Sequence, residues 1–313
     1  MYNFSTLAPS AAAAKNAKLA AENETALTGQ VLGIEVTEPG LAARCSLGNV
    51  DPQHTGGNAS RAAIEEAVSM DLPPEGATLV TIRADLDSVG AMAVLSIRAQ
   101  GTSLESAQER IEQVATSDKF ARGGYPGPKP LPTRHCPWNE ETASSAEGSR
   151  PLAAIAAAVM DFKSALAQRV ASMEKWLLTG EEPQQYRDSV EKERVDMIAA
   201  MESGAIKHEM RADGRIAVVE STHRAATSVG YSLAPVVVAR NPAFKFGGGE
   251  AHAKYTVCAF EAGKFADIKS ALAELATLEP GWGGSPTIGG SPQGVSSTLT
   301  IDQVVEVVTK HLK

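Results

Sequence analysis

Thr81-Ile82-Arg83-Ala84-Asp85-Leu86-Asp87-Ser88-Val89-Gly90-Ala91-Met92-Ala93-Val94-Leu95 is the stretch that decides the fold. Its leading flank, Thr78-Leu79-Val80-Thr81-Ile82, is a short apolar run of the kind that fills a strand buried on both faces. From Ser88 to Arg98 the spacing becomes helical. A strand, a tight acidic turn and a helix form the unit from which parallel α/β sheets are built, and ligands bind such sheets at the carboxyl edge of the strands. Asp85 and Asp87 stand one residue apart at that edge, where two carboxylates can converge on one hard cation. The competing reading makes Asp87 the cap of its helix and leaves Asp85 solvated, both favoured by the helix dipole. Gly90 is expected to let the helix pack close to its strand.

Outward from this unit, Gln30 to Val36 reads as a second strand, preceded by a short surface helix between Ala11 and Glu24. The polar segment Gly48 to Gly57 follows as a loop, and Arg61 to Met70 as a helix capped by Asn58 or Ser60 and stopped by Pro73-Pro74. Beyond the central unit, Ser103 to Ala115 is helical, and the Pro- and Gly-rich stretch Gly123 to Pro132 is irregular. Leu152 to Met201 is helical with breaks near Gly180 and Pro183, and Trp176, Leu177 and Leu178 are its packing residues. After the turn Asp213-Gly214, strands are expected at Ile216 to Glu220, Val236 to Ala239 and Tyr255 to Phe260, with helices at Ala266 to Leu278 and Ile301 to Leu312. The chain is therefore read as α/β: a parallel-sheet N-terminal domain over 1–150, a helical connector over 151–212, and a smaller mixed α/β C-terminal domain over 213–313.

The 313 residues are 43% hydrophobic, enough for two packed cores. A formal charge of −8 argues against an extended nucleic-acid surface while leaving room for a local basic pocket. Cys45, Cys136 and Cys258 have no paired spacing, which suits a reducing compartment. With no basic leader before an apolar run and no long apolar segment, the expected setting is cytoplasmic, away from membranes.

Asp85-Leu86-Asp87-Ser88-Val89-Gly90-Ala91 resembles the first acidic motif of the DHH phosphoesterase superfamily, an Asp-x-Asp-Ala-x-Gly-Ser turn that supplies manganese ligands. Gly281-Trp282-Gly283-Gly284-Ser285-Pro286-Thr287-Ile288-Gly289-Gly290-Ser291-Pro292-Gln293-Gly294, followed by a closing helix, is similar to the smaller domain associated with that superfamily, whose glycine-rich loop faces the substrate. The chain departs from the pattern in two places. The Asp-His-His signature is replaced by Asp51-Pro52-Gln53-His54, which precedes the acidic turn, and the loop carries Gly-Gly-Ser-Pro where the family has Gly-Gly-Gly-His.

The resemblance implies a phosphoesterase that uses Mn2+ or Mg2+ on a small phosphorylated molecule or nucleotide held between the two domains. Its metal set would be Asp51, His54, Asp85, Asp87 and Asp118, with His54 and Asp87 at the catalytic step. Arg83, His223, Arg224, Gly283, Gly284, Ser285, Gly289 and Gly290 would hold the substrate. Oxygen and nitrogen donors of this kind suit hard cations, and two such ions can bind a phosphate and activate a bridging water. Taken by themselves, Asp51 and His54 are equally a base with its orienting partner, or a turn. A different class of function is a non-catalytic binder that grips a small anion through Arg83, Arg224 and the glycine-rich loop. A third is an assembly protein that uses the alanine-rich connector as its surface; a homodimer is compatible with any of these. His135-Cys136 lacks a third partner for thiol chemistry, and Gly247-Gly248-Gly249 lacks the Lys and Ser/Thr of a P-loop.

Overall fold

The computed structural model describes residues 1–7, 27–52, 61–119, 150–223, 226–245, 249–259 and 262–313. The expected helix between Ala11 and Glu24, His54, the caps Asn58 and Ser60, the stretch Gly123 to Pro132, the His135-Cys136 pair, Arg224 and Gly247-Gly248 lie outside the described residues. The chain forms two compact α/β units, the first from Met1–Asp118 and Pro151–Arg187, the second containing Asp188–Lys313.

In the first unit, β1 (Asn3–Thr6), β2 (Val31–Ile34), β3 (Asn49–Val50) and β4 (Thr78–Thr81) form a four-stranded sheet in the order β1-β4-β2-β3. Every pairing is parallel. Such a sheet is buried on both faces, which is why β2 and β4 are nearly uninterrupted apolar runs. Leu32, Ile34 and Leu79 face a core built with α2 (Ala63–Ser69), α3 (Leu86–Ala99), α4 (Gln108–Lys119), α5 (Arg150–Val159) and α6 (Leu166–Thr179). Val31, Val36, Val80 and Ile82 face the opposite side, where Leu41 of the short helix α1 (Pro39–Ala42) covers them. Trp176 and Leu177 are fully buried in the first core. Gly90 serves a different contact from the one expected of it: a Cβ there would lie 2.7 Å from Ile64 Cδ1, so its close approach is to α2 rather than to the strand.

Helix α7 (Gln184–Glu202) leads into the second unit. There β5 (Lys207–Arg211), β6 (Ile216–Glu220), β7 (Val236–Phe244), β8 (His252–Ala259), β9 (Gly283–Gly284) and β10 (Ile288–Gly290) form a mixed sheet in the order β5-β6-β7-β8-β10-β9. Among the described strands of this sheet only β6 and β7 pair in parallel, joined by α8 (Ala226–Leu233) on one face. Helices α9 (Ile268–Leu278) and α10 (Ile301–Lys310) cover the other face through Leu272, Leu275, Val304 and Val308. The glycine-rich segment, expected as a loop, supplies the last two strands of this sheet. Gly284 and Gly289 are cross-strand partners whose backbones approach too closely for any side chain on Gly284.

Candidate metal and anion sites

Three adjacent parallel strands each deliver an acidic residue just past their carboxyl ends. Glu35 follows β2, Asp51 follows β3, and Asp85 and Asp87 follow β4. Glu35, Asp87 and Asp118, the last from the end of α4, come together so that one carboxylate oxygen from each lies within 4.8 Å of the others. Asp87 is 1% exposed, and its two oxygens accept hydrogen bonds from Ala63 N–H at 2.7 Å and Ile64 N–H at 2.9 Å. It therefore caps α2, across 24 residues of sequence, while Asp85 caps α3 by accepting from Ser88 N–H at 3.1 Å and Ser88 Oγ–H at 2.9 Å. The turn thus splits its two carboxylates between two helices; Asp87 belongs to the three-acid group, and Asp85 borders it through a side-chain hydrogen bond with Glu35.

Glu35 was hidden in the apolar run that the sequence presents as one strand from Gln30 to Val36. The strand ends at Ile34, and Glu35 takes a left-handed backbone conformation, φ 52°, that turns its side chain toward Asp87 and Asp118. Its Oε2 is sealed from water without a hydrogen-bond partner. A lone carboxylate between Ile34 and Val36 was the available signal, since an acid inside a buried run needs a reason to be there.

The other expected residues fall in separate places. Asp51 is buried at 3% exposure beside the same sheet edge but outside the three-acid group. Arg83 is exposed and pairs with Asp85 at 3.2 Å. In the second unit, His223, Gly283, Gly289 and Gly290 line a cavity of about 760 Å³, whereas Gly284 and Ser285 do not. Lys245, Lys254, Asn241, Thr227 and Thr256 also line it, and no carboxylate does among its lining residues. Lys254 Nζ sits 5.0 Å from the centre of the Phe244 ring, a cation–π contact that steadies the ammonium. In a chain of net charge −8, a cavity whose described lining carries Lys245, Lys254, Arg240 and His223 and no carboxylate is locally basic. Sequence reasoning missed both lysines because nothing in their spacing distinguishes them from solvated surface.

No family model matches the chain, and no curated protein sequence does. Among solved structures, the pGpG-specific phosphodiesterase PggH from Vibrio cholerae aligns at a TM-score of 0.37 and 9% identity, over 90% of this chain and 98% of that one.

Burial raises the pKa of both Glu35 and Asp87 well above the carboxylate range, and repulsion adds to it: from Asp85, Asp87 and Asp118 on Glu35, and from Asp118 and Asp85 on Asp87. For Asp87, the hydrogen bonds from Ile64 and Ala63 pull the other way without overcoming this. Three convergent hard oxygen donors, with an orphaned atom on Glu35, suit a hard divalent cation and not a thiolate-seeking ion. A carboxyl group whose pKa is higher folded than unfolded stabilises most below its unfolded value, about 4, and loses that contribution as pH rises through the folded value. Metal-stripped wild type should therefore lose stability relative to Glu35→Gln as pH is raised from about 5 to 8. Urea midpoints of the two proteins across that range check this, and a constant difference would contradict it.

No helix among the described residues is long and apolar enough to cross a membrane.

Proposed function

We propose that the chain is a divalent-metal-dependent phosphoesterase acting on a small phosphorylated or nucleotide-like substrate. The observation that carries this reading is the convergence of Glu35, Asp87 and Asp118 within 4.8 Å, where burial and the neighbouring carboxylates raise the pKa values of Glu35 and Asp87. Buried like charges are costly unless a cation joins them.

Glu35, Asp87 and Asp118 would hold a Mn2+ or Mg2+ ion, and Asp51, His54 and Asp85 remain proposed as further ligands. Bound there, the ion would supply Lewis acidity toward a phosphoryl oxygen and a water acidified enough to attack phosphorus. Asp87 contributes a fixed carboxylate, because two backbone N–H groups hold both of its oxygens. Arg83, exposed and paired with Asp85, would serve as a substrate cation. The cavity of the second unit would take an anion such as a phosphate group through Lys254, Lys245 and His223, with the glycine backbones of β9 and β10 allowing close approach.

A second reading is favoured by that cavity alone. Its basic lining would serve a non-catalytic anion binder just as well, because holding an anion needs positive charge and no metal.

One experiment separates the two. Metal-stripped protein is titrated with Mn2+ by calorimetry and then assayed on a panel of phosphodiesters and short nucleotides. The expected result is Mn2+-dependent hydrolysis, lost in Glu35→Gln, with Lys254→Ala raising KM on the order of tenfold, the scale of one charge-assisted contact. Wild type that binds Mn2+ no better than Glu35→Gln would defeat the phosphoesterase reading. Nucleotide binding without turnover, sensitive to Lys254→Ala, would establish the anion binder instead.

A further inference from the structure

Carboxylates that repel one another converge only if the backbone beneath them is held, and Glu35 is the member that strand geometry does least to hold. The β2–β3 ladder ends where Glu35 N–H donates to Val50 O at 2.9 Å. Immediately afterwards the chain enters its left-handed turn, at φ 52°, which a residue with a long side chain adopts only when its surroundings impose it. Past the turn, a side chain takes the place of the neighbouring strand. Asn49 Oδ1 accepts from Val36 N–H at 3.2 Å, and Asn49 Nδ2 donates to Val36 O at 3.1 Å. One amide thus grips the peptide on each side of Val36, the first of them being the one that joins it to Glu35. Val36 is fully buried, so in the folded protein its N–H and C=O depend on Asn49 rather than on water. Asn49 lies opposite Gly33 in the ladder, and a Cβ on Gly33 would stand 2.5 Å from Asn49 Oδ1. Glycine at 33 is what allows the amide to reach Val36.

We propose that Asn49 is a positioning residue for the metal site: its side-chain amide locks the turn at Glu35 and so aims the Glu35 carboxylate at Asp87 and Asp118. This rests on the metal reading of the acidic cluster. Asn49 need not touch the ion, and its effect passes entirely through Glu35.

That dependence is what the test reads. Mn2+ affinity of the metal-stripped full chain is measured by calorimetry for wild type, Asn49→Ala, Glu35→Gln and the double variant. Each single change should weaken binding on the order of tenfold or more, the usual scale for a residue that orients a ligand. The double variant should bind no more weakly than Glu35→Gln alone, because without the carboxylate there is nothing left for the amide to aim. Asn49→Asp guards against loss of folding: it keeps the acceptor for Val36 N–H, loses the donor to Val36 O, and should fall between wild type and Asn49→Ala. The positioning role is overturned if Asn49→Ala and Asn49→Asp both bind Mn2+ like wild type, or if the two single effects multiply in the double variant as independent structural damage would. If instead Glu35→Gln itself leaves Mn2+ affinity unchanged, the metal reading of the cluster fails and the positioning role falls with it.

Discussion

Asp87→Ala should unfold at a clearly lower urea concentration than wild type, with a loss of about 2–4 kcal/mol, even in the absence of any metal. The carboxylate is 1% exposed and is the acceptor for the Ala63 and Ile64 N–H groups at the start of α2. Truncation leaves both donors buried without a partner, at about 1–3 kcal/mol each, and relief of repulsion from Asp118 and Asp85 offsets only part of that. Asp87→Asn should lose less. Its one amide oxygen can still accept, while its NH2 group faces the second N–H as donor against donor. Chemical denaturation of the metal-stripped proteins measures both, and an Asp87→Ala midpoint equal to wild type would show that α2 is not held in this way. The consequence for function is practical. Loss of activity in Asp87→Ala cannot be assigned to the metal alone, so Glu35, whose Oε2 has no structural partner, is the better probe of chemistry.

The parts of this architecture that could be read in the sequence are those written in continuous patterns. The apolar run at Thr78–Thr81 followed by the acidic turn marked both the central strand and the edge where the site lies, because a strand buried on both faces leaves little choice of residue. The parallel sheet of the first unit and the mixed sheet of the second followed from the same patterns. The elements that escaped did so for identifiable causes. β1 is the four-residue Asn-Phe-Ser-Thr, too short and polar to show a period, and β5, Lys-His-Glu-Met-Arg, is an exposed edge strand whose sheet neighbour among the described residues is β6. β9 and β10 are composed mostly of glycine, which normally signals a turn.

At the site the same division holds. Asp87 and Asp118 were visible as candidates, but their third partner was not, because the left-handed turn at Glu35 is produced by contacts with Asn49 and Val50 on a neighbouring strand. Roles within the acidic turn were equally invisible. Whether an acid caps its own helix or a neighbour's depends on where α2 comes to rest, and that is decided by packing of Ile64 against Gly90 rather than by anything local to Asp85 or Asp87.

Glu35→Gln should move stability in opposite directions with and without metal. In metal-stripped protein at neutral pH the substitution relieves a carboxyl group whose ionisation burial and its acidic neighbours oppose, and adds no steric bulk, so the variant should be more stable than wild type. Saturating Mn2+ should invert the order. An ion at a hundredfold excess over its dissociation constant stabilises the folded state by about 2.7 kcal/mol, and the variant, left with a weaker donor set, should gain only a fraction of this. Hydrolysis by the variant should fall on the order of a hundredfold or more, equivalent to about 2.7 kcal/mol of barrier. Thermal or urea unfolding of both proteins, each with and without Mn2+, gives the four values needed. A variant less stable than wild type under both conditions would make Glu35 an ordinary structural acid. The predicted crossing requires that the cluster be costly to the fold when empty and that the cost be recovered by a cation, which is the physical signature of a site kept for binding.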